Sequence, residues 1–333
     1  MILKYRLYLL IVLILFIIAI MILMPDNSST IRDKEGNFAV SDISSVTRIH
    51  IGQQENNEIN LVRNEGFWTL NDKYLARPEA VIALLQAVQV IDIKSPVSKV
   101  EHGFIMDSLN NRSALIEIFD GSKIIKKYHI FQEKGQLNRT FMLLEKSSQP
   151  FVVFIPGFTE RIGSIFSIDE LYWRDKIIFH LTPAQIESVT VEHPASPEKS
   201  YRIKRVDNNR YVIESLLLNE PVSGYDTSAI ISYLYNFVNI RFESFTSITA
   251  DKKIQSIIKS TPLFIITIED KYSNTNSLKA FSVPVDNADN FQQQQEFDPD
   301  KMYAVFNENR DTVIIKYFVF DPLIKEIKYF LLN

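Results

Sequence analysis

The chain has 333 residues, about twice the length of a typical domain, and its 46% apolar and 23% charged residues exclude wholesale disorder and favour two domains. The net charge of −4, without a basic stripe, argues against nucleic acid as a partner. Cysteine is absent, which excludes disulfides, thiolate nucleophiles and Cys-ligated zinc, and none of the nine glycines falls in a phosphate-binding pattern, so no cofactor is expected.

The first predicted element is a membrane anchor at residues 1–24. Leu7 to Met24 are uncharged and would reach roughly 27 Å as a helix, enough to span a hydrocarbon core. Because Lys4 and Arg6 precede this stretch, the positive-inside rule predicts a single-pass inner (cytoplasmic) membrane protein with a cytoplasmic N-terminus and a periplasmic body. A cleaved signal peptide is the competing interpretation, but it would have a shorter apolar stretch followed by small residues.

The body is predicted to contain two copies of one α+β domain, at 38–171 and 172–333, joined to the anchor by a polar tether at 25–37. Short sequence matches recur in the same order, at offsets that rise from 142 or 143 residues to 150, and this indicates an internal duplication. The matched segments are Ile43–Thr47 with Ile186–Thr190, Ile59–Arg63 with Tyr201–Arg205, Trp68–Leu70 with Tyr211–Ile213, Ala80–Leu85 with Ala229–Leu234, Ile91–Ser95 with Ile240–Ser244, and Ile116–Ile118 with Ile266–Ile268.

Each copy is predicted to form a mainly antiparallel sheet with a helix packed on it. The predicted strands are Val46–Ile51, Ile59–Arg63, Phe67–Leu70, Leu115–Phe119, Lys127–Phe131, Phe141–Leu144 and Phe151–Ile155 in the first copy, and Phe264–Ile268, Leu278–Val283, Met302–Phe306 and Val313–Val319 in the second. The packed helices are predicted at 78–90, with an apolar face of Val81, Leu84, Leu85 and Val88, and at 226–239, with Asp226 as its N-cap. A further helix is predicted at 160–171.

The segment Leu171–Ile186, LYWRDKIIFHLTPAQI, resembles part of a bacterial membrane-anchored family, a domain of unknown function. Trp68–Asn71, followed by Ala76 and Pro78, is also similar to that family. Members of the family are often encoded beside components of a gliding-motility-type ABC transporter. The resemblance therefore implies an accessory role beside such a transporter, and it implies no catalytic or binding residue.

An Arg-Asp-Lys triplet precedes each copy and is the candidate partner surface. The triplets are Arg32, Asp33 and Lys34, and Arg174, Asp175 and Lys176. In the favoured interpretation, each arginine anchors the entry of its copy to the sheet by hydrogen bonds to backbone carbonyls. The alternative is that the triplets recognise a partner.

The remaining polar features predict no catalytic or metal site. The five histidines, His50, His102, His129, His180 and His193, lack the spacing of a helical zinc pair. His50 and His193 are expected at equivalent strand ends, and Trp68 and Tyr211 are expected to be equivalent core or sheet-face anchors. Ser256 and Lys259 form an S-x-x-K match without its companion motifs.

The sequence therefore predicts a non-enzymatic, single-span accessory protein of an envelope assembly, with an ABC transporter or gliding-type machinery as the favoured assembly. Its expected partners are the lipid bilayer, through residues 7–24, and membrane proteins such as ABC transporter subunits. The alternative is an extracytoplasmic small-ligand or glycan binder that uses a cleft between the repeats. An envelope hydrolase is a third and weaker alternative.

Overall fold

The computed structural model describes residues 36–53, 57–133, 139–158, 162–207, 210–246, 252–285, 296–306 and 311–332. The predicted anchor at 1–24 and residues 25–35 of the predicted tether lie outside these ranges. Within the described ranges, no helix combines the length and apolarity that a bilayer span requires. The chain forms two compact units, the first ending at Asp175 and the second beginning at Lys176.

The first unit is built on one nine-stranded sheet in which every neighbouring pair of strands is antiparallel. Its strands are β1 (Arg48–Gln53), β2 (Asn57–Arg63), β3 (Trp68–Leu70), β4 (Tyr74–Leu75), β5 (Asp92–Pro96), β6 (Ala114–Asp120), β7 (Lys123–Gln132), β8 (Thr140–Leu144) and β9 (Phe151–Phe154), in the order β4-β3-β2-β1-β6-β7-β8-β9-β5. Its helices are α1 (Pro78–Val90), α2 (His102–Asn111) and α3 (Glu170–Trp173), with a 3-10 turn at Ile162–Phe166.

The second unit has a nine-stranded antiparallel sheet and a separate two-stranded one. Its strands are β10 (Ile177–Phe179), β11 (Ile186–Glu192), β12 (Tyr201–Asp207), β13 (Arg210–Ser215), β14 (Glu220–Pro221), β15 (Ile240–Arg241), β16 (Ser244–Phe245), β17 (Phe264–Asp270), β18 (Thr275–Pro284), β19 (Phe297–Phe306) and β20 (Asp311–Lys316). The large sheet has the order β14-β13-β12-β11-β17-β18-β19-β20-β16, and β10 pairs with β15. The helices are α4 (Thr227–Leu234), α5 (Lys252–Ile257) and α6 (Tyr317–Phe320), with 3-10 turns at Pro183–Gln185, Pro197–Lys199, Tyr235–Phe237 and Ile327–Phe330.

The strand order of the second large sheet repeats that of the first strand for strand, so the predicted pair of antiparallel-sheet repeats is confirmed. The pairing registers agree with most of the sequence matches. For example, Leu61 pairs with Leu70 in the first unit, and Ile203, at the predicted offset of 142, pairs with Ile213 in the second.

The first strand of each sheet departs from the sequence match. Ile51 pairs with Ile116 in the first unit, and Val191 pairs with Ile266 in the second. Because Ile116 and Ile266 are matched positions, Ile51 corresponds to Val191, which is an offset of 140 residues and not the 143 that the sequence predicts. The cause is visible in the chain path, since residues 43–47 precede β1 whereas 186–190 already lie in β11.

This shift in register changes the predicted relation between two histidines. His50 pairs with Glu117, and the corresponding pair in the second unit is Thr190 with Thr267. His50 therefore corresponds to Thr190 and not to His193, and the predicted equivalence of the two histidines is wrong.

The helix that connects two edges of each sheet buries the apolar face that the sequence predicts. In α1, Pro78 occupies the first turn, and Val81, Leu84, Leu85 and Val88 are all buried. In the second unit, the Asp226 side chain accepts a hydrogen bond from the Ser228 N–H at 2.8 Å and begins α4. The predicted helix at 226–239 is shorter than expected, because α4 ends at Leu234 and continues only as a 3-10 turn.

The predicted helix at 160–171 is wrong as a continuous element. The described part of this segment forms the 3-10 turn at Ile162–Phe166 and then the start of α3. Gly163 donates its N–H to Gln132 Oε1 at 3.0 Å, and an added Cβ at Gly163 would lie only 2.7 Å from the Gln132 Cβ. The turn is therefore fixed by its contact with β7, and the Asp169 side chain starts a separate helix by capping the Leu171 N–H.

Two further elements differ from the sequence prediction. The predicted strand Val313–Val319 ends at Lys316, where the chain turns into α6 and buries Phe320. The helix α2 is absent from the prediction, although it builds a second apolar cluster with Val97, Phe141 and Leu143.

We expect Leu84→Ala to lower the free energy of unfolding of the first unit by about 2–5 kcal/mol, because Leu84 is fully buried in the core of that unit. Ile82→Ala on the same helix is the matched control, since Ile82 is 53% exposed and should change stability by less than about 0.5 kcal/mol. Both tryptophans of the chain, Trp68 and Trp173, lie in the first unit, so their fluorescence during urea unfolding reports on this unit. Equal effects of the two substitutions would contradict the burial of the Leu84 face.

Candidate functional site

The first of the two candidate partner triplets, Arg32–Lys34, lies outside the described residues. In the second, Arg174 is only 7% exposed, its backbone pairs with Ala76, and its guanidinium carbon lies 3.9 Å from the centroid of the Tyr74 ring. The Asp175 N–H donates to the Leu75 carbonyl at 2.9 Å. These contacts follow the edge strand β4, so the geometry of Arg174 favours the structural interpretation.

Lys176, the last residue of that triplet, belongs to the second unit. Its Nζ donates to the Glu243 carbonyl at 2.5 Å, and its own carbonyl accepts from the Phe242 N–H at 3.0 Å. The triplet is therefore divided between the two units, and the boundary predicted between 171 and 172 would cut through α3.

An arginine stacked on an aromatic ring occurs at the same place in both units. The Arg63 guanidinium lies 5.0 Å from the Trp68 ring, and the Arg205 guanidinium lies 4.9 Å from the Tyr211 ring. Each arginine also donates to backbone carbonyls of the segment that enters the first strand of its sheet. The accepting carbonyls are those of Ile43 and Ser44 for Arg63, and those of Pro183 and Ile186 for Arg205. Trp68 and Tyr211 are therefore equivalent sheet anchors, as predicted.

Ionisable side chains form a row across neighbouring strands of the first sheet. His50 Nδ1 lies 3.2 Å from Glu117, and Lys127 lies 3.1 Å from Glu117 and 2.8 Å from Glu145. The two carboxylates raise the pKa of Lys127, and Lys127 lowers the pKa of Glu145. Lys127 is thus paired with two carboxylates, and in the part of the chain that the structure describes no group of three or more His, Asp or Glu side chains could hold a metal ion.

His129 connects β7 to the segment after α2. Its Nδ1 lies 3.0 Å from Ser113 Oγ, and the Ser113 hydroxyl donates to the Leu109 carbonyl. Burial lowers the pKa of His129. Because the serine proton is already donated to a carbonyl, this pair is suited to holding α2 against the sheet and not to nucleophilic catalysis.

A groove with a volume of about 860 Å³ lies at the end of β7 in the first unit. It is lined by Gln53, Phe104, Arg112, Ala114, Ile130, Phe131, Gln132, Glu133, Gly163, Ser164, Phe166, Ser167, Ile168 and Tyr172. We refer to these residues as the β7 groove. Its volume lies in the range of about 300–1,000 Å³ that is usual for ligand sites.

The walls of the β7 groove come from both faces of the sheet because side chains alternate along a strand. Ile130 faces the main core, together with Phe166 of the 3-10 turn. Phe131 faces the opposite side, where it packs against the cluster formed by α2. The apolar floor of the groove therefore lies between the main core on one face of the sheet and the α2 cluster on the other.

Arg112 is the cation of the β7 groove. Its guanidinium carbon lies 5.5 Å from the Phe104 ring and 5.4 Å from the Phe131 ring, and one of its N–H groups donates to Ser108 Oγ. The Arg112 carbonyl accepts from Gln53 Nε2 at 3.1 Å, which fixes the backbone beneath the side chain. Phe104 is 57% exposed, so a large aromatic surface is available beside this charge.

The other polar side chains of the groove are held by contacts of their own. Gln132 Oε1 accepts from Thr140 Oγ1 at 2.7 Å and from the Gly163 N–H at 3.0 Å. Glu133 pairs with Arg139 at 2.9 Å, and Arg139 also reaches Glu101 at 2.9 Å. The wall is therefore ordered before any ligand binds, which lowers the entropic cost of binding.

The cation of the β7 groove is not repeated at the equivalent position of the second unit, although the sheet is. Ala114 pairs with Ile130, and the corresponding pair in the second unit is Phe264 with Ala280. Ala114 and Phe264 are therefore equivalent positions. Arg112 and Pro262 each lie two residues before them, so Pro262 occupies the place of Arg112 in the second unit. The second unit thus has the equivalent strands, but a proline occupies the position of the Arg112 cation.

Sequence reasoning missed this groove because its lining residues extend from Gln53 to Tyr172 without a short motif. The available signal was the amphipathic segment around Phe104, for which no helix is predicted above.

Comparison of the chain with protein-family models, with curated proteins and with solved structures finds no match. The resemblance of Leu171–Ile186 to a membrane-anchored family stays a prediction.

We expect the first unit to lose stability as the pH falls from 7 to 5. Burial lowers the pKa of His129 below its usual 6.5, so the unfolded chain binds this proton more tightly than the folded unit, and the free energy of unfolding falls as the pH drops through 6.5. Glu145, whose pKa is lowered from its usual 4.5, affects the free energy of unfolding mainly below pH 5. Urea midpoints followed by tryptophan fluorescence measure the slope.

His129→Asn keeps a nitrogen donor near Ser113 and removes the titrating ring, so it should flatten this pH dependence. His193→Asn is the matched control, because burial also lowers the pKa of His193 but this residue lies in the second unit. An unchanged slope in the His129 variant would exclude His129 as its source.

Proposed function

We propose that the chain is a non-enzymatic accessory protein of an envelope assembly, anchored in the inner membrane by residues 7–24, and that it holds a partner in the β7 groove. The groove supports this proposal: it is a concave site in which the exposed Phe104 lies beside the cationic Arg112, whose place in the second unit is taken by Pro262. A solvent-exposed aromatic beside an arginine is typical of the residues that dominate protein interfaces. An ABC transporter or gliding-type machinery is the proposed assembly, on the resemblance of Leu171–Ile186 alone.

A small-ligand or glycan binder is the second candidate. The volume of the β7 groove and its aromatic walls favour it. In this second candidate function, the ligand would bind in the β7 groove, within the first unit.

Affinity purification of the full-length chain in a mild detergent tests the accessory role. We expect inner-membrane transporter subunits to be recovered with the wild-type chain and to fall at least tenfold with Phe104→Ala, because that substitution removes the aromatic surface at the mouth of the groove. Phe318→Ala is the matched control, since Phe318 is 74% exposed and lies in the second unit. Recovery of no membrane protein, or equal recovery with both variants, would argue against the proposal.

The proposed topology has a separate test. Protease added to intact spheroplasts should digest residues 36–333 and leave the N-terminal segment protected, because Lys4 and Arg6 keep the N-terminus in the cytoplasm. Digestion of the body only after lysis would reverse the orientation.

A further inference from the structure

We infer that the β7 groove binds an acidic peptide segment of a partner protein, with an aspartate or glutamate carboxylate on Arg112 and apolar neighbours on the groove floor. This inference rests on the accessory role proposed above and identifies the chemistry of the partner. Three features carry it: the pairing of charges at this end of the sheet, the geometry of Arg112 and the apolar surface beneath it.

The pairing of charges at this end of the sheet favours an anionic ligand at Arg112. Among the described residues, the second arginine at this end of the sheet, Arg139, is matched by Glu133 and Glu101, at 2.9 Å each. Arg112 makes no ion pair with a described carboxylate, and its polar side-chain contact is the neutral Ser108 hydroxyl. A carboxylate placed on Arg112 would therefore neutralise a charge that the described part of the fold leaves unmatched.

The geometry of Arg112 suits a carboxylate in particular. A guanidinium has five N–H donors in a planar fork that matches the two oxygens of a carboxylate. One donor is directed to Ser108 on α2, and the rings of Phe104 and Phe131 lie beside the guanidinium. These contacts restrict the side chain before the ligand arrives, so less rotamer entropy is lost when the ion pair forms.

The surface beneath Arg112 requires an apolar body attached to the carboxylate. The partly exposed apolar side chains of Ala114, Phe131 and Ile168 line the groove, together with the exposed Phe104. A free carboxylate such as acetate would leave this apolar surface in contact with water. An extended peptide places apolar side chains on either side of an acidic one, and it can enter and leave a groove that is open to solvent.

A peptide-display selection tests the inference on the full-length chain in nanodiscs, with empty nanodiscs for counter-selection. We expect enriched sequences in which aspartate or glutamate lies between apolar residues. The dissociation constant of the best peptide should rise at least tenfold with Arg112→Gln and should be unchanged with Arg210→Gln, an exposed arginine of the second unit. Tryptophan fluorescence checks that Arg112→Gln is folded, and near-ultraviolet circular dichroism checks both variants.

The same peptide with its acidic residue changed to the amide gives a second arm that does not depend on the variant. The amide peptide should bind the wild-type chain at least tenfold more weakly, and Arg112→Gln should weaken its binding no further, because both changes remove the same ion pair. Enrichment of peptides without acidic residues, equal binding to Arg112→Gln, or no enrichment above empty nanodiscs would overturn the inference. Recovery of transporter subunits without an acidic preference would overturn this inference alone, whereas acidic peptides without a membrane partner would overturn the accessory role.

Discussion

The connection between opposite edges of the sheet constrains the rest of the first unit. The helix α1 follows edge strand β4 and leads into edge strand β5, with only Ala76, Arg77 and Ile91 outside the regular elements. A flat sheet of this size would separate its edge strands by about 38 Å, whereas the helix spans about 18 Å and the five extended steps that join it to the two strands add at most about 17 Å. The sheet must therefore curl around the helix, and this explains why the α1 face is buried along its whole length.

The curled sheet also determines where a binding site can form. The core face is filled by α1 and the 3-10 turn at Ile162–Phe166, while α2 covers part of the opposite face. Between these two layers, β7 reaches its end with Ile130 and Phe131 directed to opposite sides. A groove at this point can combine an apolar floor with polar side chains that are fixed by both layers. The close contact of Gly163 with Gln132 shows how tightly the turn is held against the strand.

Sequence periodicity predicted the elements that depend on local patterns. The α1 face, the Asp226 cap and most strands follow from spacing and capping chemistry, which the chain encodes locally. The offset of the first strand could not be obtained in this way, because register is set by cross-strand pairing and a similar string of letters was available three residues away. The break near Gly163 and the β7 groove depend on contacts between distant segments, so no window of the sequence contains them.

The duplication identifies residues that serve the sheet shared by both units. Arg63 and Arg205 recur at the equivalent place in each unit, with their aromatic partners and the carbonyls that they bind. Arg112 does not recur, since proline occupies its place in the second unit. Two sheets with the same strand order can thus be stable with or without this cation, and stability of the sheet alone does not require it. Arg112 lies beside the rings of Phe104 and Phe131 in the lining of the β7 groove, and the proposed binding role therefore depends on a residue that the shared sheet does not need.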